Sequence, residues 1–96
     1  SRNRYLSQQQ QQDASSIYSS FIHSNNAFNR ISMSLNQLLD TIKSELHTSI
    51  KVHYLTLIDD TTLQPVQTPQ LGHRILFAGS IGNVRLLDNF TLSAIH

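Results

Sequence analysis

Apolar positions along the chain fall into two helical stripes followed by three strand-like runs. Ala14, Ile17, Tyr18 and Phe21 recur at i, i+3, i+4 and i+7, with Ile22 widening the stripe, and this predicts an amphipathic helix. Ser7 stands ahead of it as N-cap. Gln10, three residues on, completes the Ser-x-x-Gln pattern of a capping box. The glutamines from Gln8 to Gln12 make its solvated first turn. Ser24-Asn25-Asn26 interrupts the stripe and is expected to end this helix and cap the next. Phe28, Ile31, Leu35, Leu38, Leu39, Ile42 and Leu46 then predict a second helix with one continuous apolar face. Its polar side carries Ser, Asn and Gln rather than Lys or Arg, which favours core packing over a membrane surface.

From Ile50 to Ile58 the pattern turns strand-like, with β-branched and aromatic residues and neither Gly nor Pro. Apolar residues on both faces after Val52 suit a strand covered on each side or a central one. Asp59-Asp60-Thr61-Thr62 reads as a turn. Leu63 to Gly72 reads as a loop, because Pro65 and Pro69 exclude a central strand. The densest apolar stretch follows, Ile75–Ile81 and Val84–Leu92 joined by Gly82-Asn83. That dipeptide predicts a two-residue hairpin with a type II′ turn. Ala78-Gly79-Ser80 places small residues mid-strand, where another backbone or a helix can come close. Regular alternation puts Val84, Leu86, Asp88, Phe90 and Leu92 on one face, and Arg85, Leu87 and Asn89 on the other. Asp88 is thus expected among apolar side chains, with a backbone N–H, an arginine or a surface turn to satisfy it. Arg85, Asp88 and Asn89 are the odd polar residues of the run, candidates for a polar network or for chemistry. The element order predicts an α+β fold, two N-terminal helices packed on one face of a three-stranded antiparallel sheet. The helices fall within 8–47 and the sheet within 50–93 of a single domain spanning 1–96.

Composition narrows the function classes. Ninety-six residues bury one modest core. A net charge of +1 is too small for a non-specific nucleic-acid or membrane-surface binder. The lack of cysteine removes disulfides, thiolate catalysis and Cys-type zinc sites. No apolar run approaches the roughly 18 residues of a membrane span. A start at Ser1 without Met suggests a piece of a longer chain. His23, His47, His53, His73 and His96 show no metal-ligand spacing, and there is no Gly-rich phosphate loop. Asp59-Asp60 could bind a hard cation, but adjacent carboxylates at a strand end ordinarily make a turn. At the N-terminus, Ser1-Arg2-Asn3-Arg4 offers two guanidinium forks that suit phosphate oxygens, or else a solvated end.

Three segments together carry a family resemblance. They are Ser1-Arg2-Asn3-Arg4-Tyr5-Leu6-Ser7, then Tyr54-Leu55-Thr56-Leu57-Ile58-Asp59 with Leu63-Gln64-Pro65-Val66, then Gly82-Asn83-Val84-Arg85-Leu86-Leu87-Asp88-Asn89. In this order and spacing the chain resembles the C-terminal domain of the pantoate–β-alanine ligase (pantothenate synthetase) family. That family's patterns are Met-Ser-Ser-Arg-Asn-x-Tyr-Leu-Ser, Tyr-x-x-Leu-x-Asp leading to Leu-x-Pro-Val, and Gly-x-x-Arg-Leu-Ile-Asp-Asn. The resemblance spans nearly the whole chain.

It implies a lid domain of an ATP- and Mg²⁺-dependent cytoplasmic enzyme of the nucleotidyltransferase superfamily. That enzyme joins pantoate to β-alanine through a pantoyl-adenylate. A Rossmann-like N-terminal domain, with its His-x-Gly-His signature, would be the lid's partner and is absent from this sequence. By the same resemblance Ser1 and Arg2 match a Ser-Ser-Arg segment that contacts ATP phosphates, with Arg2 stabilising the leaving pyrophosphate. Arg85, Asp88 and Asn89 become structural polar residues of the lid's own sheet. The isolated chain is expected to be inactive and to hold no metal, nucleic acid or membrane.

The chain departs from the family pattern at several points. The Met and first Ser are missing, and Gln10-Gln11 stands where Glu-Arg is usual. Leu87 replaces Ile, and His53 replaces an Asp before the tyrosine. The alternative reading is a non-catalytic α+β interaction module that shares only local patterns.

Overall fold

The computed structural model describes residues 6–95. Its elements are α1 (Gln8–Arg30), α2 (Leu35–Glu45), β1 (Lys51–Ile58), β2 (Arg74–Ile81) and β3 (Val84–Thr91). The expected α+β fold is observed: two helices, and a three-stranded antiparallel sheet in the order β1-β2-β3. The expectations placed on Ser1–Tyr5 and on His96 lie outside the described residues.

The start of α1 follows the sequence pattern. Ser7 Oγ accepts from Gln10 N at 3.1 Å, and Gln10 Oε1 accepts from Ser7 N at 3.0 Å, so the capping box is closed. Its end does not. Ser24-Asn25-Asn26 fails to stop the helix, which continues to Arg30 and absorbs Phe28. The reason is tertiary. Asn25 Oδ1 accepts from Ser93 N at 2.9 Å, and Asn29 Nδ2 donates to Ser93 O at 2.9 Å. These amides clamp the segment after β3 instead of capping a helix, overriding the local preference of Asn for helix ends. The five-turn second helix is correspondingly shortened. Ile31 is the exposed C-cap of α1 rather than part of the α2 stripe. A second capping box, Ser34 with Gln37, starts α2.

The core lies between the helices and one sheet face. Ile17 and Phe21 of α1 and Leu38 and Ile42 of α2 pack in one cluster with Leu57, Ile75, Phe77, Ile81, Leu86 and Leu92. The Phe21 ring lies 5.8 Å from that of Phe90, and Tyr18 meets Phe90 edge-on at 6.3 Å.

Strand β2 is the centre of the sheet. Its odd residues Ile75, Phe77, Gly79 and Ile81 are buried under the helices, and its even residues face the other way. The hairpin is as expected: Ile81 pairs with Val84 and the loop is Gly82-Asn83. Gly82 has φ +56° while Asn83 is not in the positive-φ region, as a type II′ turn requires. Strand β1 is an edge strand, not a central one. It is irregular between Val52 and Tyr54, with His53 as the extra residue of a bulge. The bulge brings Val52 onto the helix side with Leu55 and Leu57, while Tyr54 and Ile58 lie on the other face. Beyond β1, Ile58 bridges Pro65 and Val66 N donates to Leu57 O, so the loop covers that end of the edge.

Candidate functional site

Ser1 and Arg2, the residues matched to phosphate contacts, lie outside the described residues. The structure does describe where their segment joins the fold. Leu6 is buried in the core and Ser7 caps α1. The hairpin turn stands beside that helix start, since a Cβ built on Gly82 would lie 3.5 Å from Gln10 Nε2. Between the first half of α1 and β3 runs a cleft of about 490 Å³, with Leu6, Ala14, Ile17, Leu86 and Asp88 among its walls.

The three polar residues of the hairpin separate. Asp88 shares the helix-facing side of β3 but is exposed at this cleft, not enclosed by apolar side chains. Strand β3 is an edge, and the cleft leaves its middle open to solvent. Asp88 Oδ1 accepts from Asn89 N at 2.8 Å. Arg85 is exposed and has no ion-pair partner among the described residues. Asn89 Oδ1 accepts from Arg74 Nη1 at 2.6 Å, a bond that ties β3 to β2.

A polar cluster that the sequence did not single out surrounds Arg74. Its Nε and Nη2 donate to the two carboxylate oxygens of Asp60 at 2.8 and 3.1 Å, a bidentate fork. The fork holds the Asp60 carboxyl below its ordinary range and raises the Arg74 guanidinium. Asp59 Oδ1 accepts from Thr61 N at 2.8 Å and Thr62 N at 3.1 Å. The Thr62 and then the Thr61 N–H, with a smaller contribution from His73, keep its carboxyl low. Asp59-Asp60 is therefore a turn device: Leu63, at φ +62°, closes it through its N–H to Asp59 O. The cross-strand register Ile58 with Arg74 was the signal that could have found this cluster, because it brings the residues after β1 beside the start of β2.

A Ser/His/Asp group also exists. Ser49 Oγ lies 2.8 Å from His47 Nδ1 and 3.2 Å from Asp13 Oδ2, His47 Nδ1 accepts the Ser49 backbone N–H at 3.1 Å, and His47 Nε2 stands 3.5 Å from Asp13 Oδ1. These contacts are all made within the fold, in the turn before β1 and from it to α1. With His47 N donating to Ser16 Oγ at 2.9 Å, the group ties α1 to the turn before β1. Among the described residues no group of His, Cys, Asp and Glu could hold a metal ion, and no helix is long and apolar enough to cross a membrane.

The fold defines a class first. A helix pair on a three-stranded antiparallel sheet recurs in the crystal structure of pantothenate synthetase from Thermus thermophilus, with TM-score 0.83 and 24% identity, covering 96% of this chain and 34% of that one. Sequence comparison then places the family. Residues 1–91 match the family model for pantoate-beta-alanine ligase, and the chain belongs to that family. Similar proteins include pantothenate synthetase of Clostridium botulinum, 34% identical over 93 residues, and that of Aquifex aeolicus, 33% identical over 96. They cover 95% and 98% of this chain, but only 33% and 34% of those proteins is matched. A bifunctional pantoate ligase/cytidylate kinase of Acaryochloris marina is 32% identical, matched over 98% of this chain and 18% of its own length. The chain thus spans about a third or less of the relatives it matches.

Proposed function

We propose that this chain is the C-terminal lid of a cytoplasmic, ATP- and Mg²⁺-dependent enzyme that condenses pantoate with β-alanine through a pantoyl-adenylate. The observation that carries the reading is the family match over residues 1–91, together with the one-third coverage of the proteins named pantothenate synthetase. The rest of the enzyme, a Rossmann-like domain, would hold pantoate, β-alanine and Mg²⁺. The described residues of this chain offer no metal cluster of their own.

The contribution of this chain is at the phosphates. Attack of the pantoate carboxylate on the α-phosphorus moves negative charge onto the departing pyrophosphate. The Arg2 guanidinium and Ser1 hydroxyl would donate hydrogen bonds to that charge as it forms. Ser7 and Leu6 support the role by tying the segment to α1 and the core. Closure over the site would exclude water from the acyl-adenylate.

The test is reconstitution. Fused in place of the corresponding third of the Aquifex aeolicus protein, the chain should support pantothenate formation that depends on ATP and Mg²⁺, whereas the 96 residues alone should give none. In the fusion, Arg2→Ala should lower kcat by about 10²–10³, as loss of a transition-state donor does. A folded fusion with no activity would overturn the ligase reading. Full activity of the Arg2→Ala fusion would overturn the role of Arg2.

A further inference from the structure

The face of the sheet turned away from the helices carries two adjoining cross-strand rows of different chemistry. The first is Lys51, Ser80 and Arg85, each directly opposite the next in register. Lys51 and Arg85 are exposed, and among the described residues neither has an ion-pair partner. Across the central strand they are about 10 Å apart at Cα, so both long side chains can converge above the short Ser80 between them. The bulge in β1 adds a fourth group, for His53 Nε2 lies 3.0 Å from Ser80 Oγ.

The second row is Tyr54, Ala78 and Leu87, two residues or about 7 Å further along β2. Tyr54 and Leu87 are both about half exposed, at 51% and 55%. With small Ala78 between them they form the walls of a groove of about 390 Å³, which Leu76 and Asn89 extend and Asp88 edges. Asp88 follows Leu87 at the rim of this groove, but it pairs with Phe77 and its side chain belongs to the helix-facing side, so the open face carries no carboxylate there. The face is therefore polarised, with a hydroxyl and two cations that have no ion-pair partner among the described residues at one end, and an apolar floor beside them.

We infer that this face binds a small phosphate ester with an aromatic or apolar body, its phosphate on Lys51, Ser80 and Arg85 and its body on Tyr54, Ala78 and Leu87. Two cations without an ion-pair partner among the described residues, flanking a hydroxyl, match the charge and hydrogen-bonding of a phosphate. The apolar groove alone would not choose between ligands; the neighbouring cationic row makes it fit an amphipathic anion. The inference does not rest on the ligase reading, since it uses none of Ser1, Arg2 or ATP.

The test is a titration of the 96-residue chain followed by amide ¹H–¹⁵N correlation spectra, with phenyl phosphate, inorganic phosphate and phenol as probes. Phenyl phosphate should move the resonances of Lys51, His53, Ser80 and Arg85 together with those of Tyr54, Ala78 and Leu87. Inorganic phosphate should move only the first group, and phenol should move neither at the same concentration. Lys51→Ala and Arg85→Ala should each weaken phenyl phosphate binding about tenfold, the loss of one charge-assisted hydrogen bond. Both side chains are exposed, so the resonances of Ile75, Phe77 and Ile81 should stay in place and report an intact core. Absence of movement on this face at millimolar phenyl phosphate would overturn the site. So would a response that both variants leave unchanged.

Discussion

The two faces of the sheet are written in alternate residues of the same strands, yet they meet opposite surroundings. On the helix side, Ile75, Phe77 and Ile81 of β2 are buried with Leu57 and Leu86 against Phe21, Leu38 and Ile42. One residue out of phase, Leu76, Ala78 and Ser80 are only partly covered, and their neighbours Tyr54, Leu87, Lys51 and Arg85 are exposed. The uncovered face is not uniform either. Near the loop, Ile58 is buried beneath Pro65 and Arg74 is tied to Asp60; near the hairpin turn Lys51 and Arg85 have no ion-pair partner among the described residues. The first face fixes the fold. The second is left with chemistry that folding does not require, which is the condition under which a surface can serve a ligand or a partner.

Substitution on each face should expose the contrast most strongly at its apolar residues. Phe21 is fully buried, so Phe21→Ala should cost about 3–5 kcal/mol through lost burial and a cavity. Leu87→Ala, on the open face, should cost no more than about 0.5 kcal/mol. Urea denaturation with an unchanged slope would read both. Equal losses would mean that the open face is part of the core after all. Gly79 gives the next effect. A Cβ there would stand 2.5 Å from the backbone oxygen of Lys51 and 2.7 Å from Cζ of Phe77. Gly79→Ala should therefore cost about 1–3 kcal/mol, because β1 itself must move. The neighbouring Ala78→Ser, on the other face, should be nearly neutral by the same denaturation assay.

A smaller loss tests the boundary between the helices. Ser34→Ala removes the hydroxyl that accepts from Gln37 N, and should cost about 1 kcal/mol. A loss below about 0.3 kcal/mol in thermal or urea unfolding would mean that packing, not the cap, sets the start of α2.

That boundary also shows what the sequence could and could not carry. Helix and strand identities, the first capping box and the Gly82-Asn83 hairpin were legible because each depends on residues close in sequence. The join between α1 and α2 was not, because Asn25 and Asn29 are held by Ser93, more than sixty residues away. The exposure of Asp88 was missed because alternation gives the face of a residue, not how far the helices extend over an edge strand. The bulge at His53 leaves no mark in composition, and without it the His53–Ser80 contact cannot be placed. Of the candidate site, Arg2 was open between a phosphate fork and a solvated end until the motif resemblance chose, and Ser1 rested on that resemblance, while the Lys51–Ser80–Arg85 row needs the register of all three strands.

The smallest effect concerns the two ends of the open face and is read against pH. Asp60 and Asp59 are both held below their ordinary pKa in the folded chain, Asp60 by Arg74 and Asp59 by the Thr62 and Thr61 N–H groups. An unfolded Asp titrates near about 3.9. A depressed folded pKa means that the unfolded state takes up protons first as pH falls. The stabilisation is therefore complete well above about 3.9 and is lost as pH drops toward the lowered folded values. Asp60→Asn removes one titrating group and should make the acid limb of the stability curve shallower, with little change at neutral pH because the pair is exposed. Lys51→Ala and Arg85→Ala, at the free end, should leave that limb as it is, since neither cation is paired with a carboxylate among the described residues. Denaturation midpoints from about pH 7 downward test both statements. If Arg85→Ala steepened or flattened the limb as much as Asp60→Asn, the cationic row would be engaged with a carboxylate in solution, and the contrast between a tied end and a free end would fail.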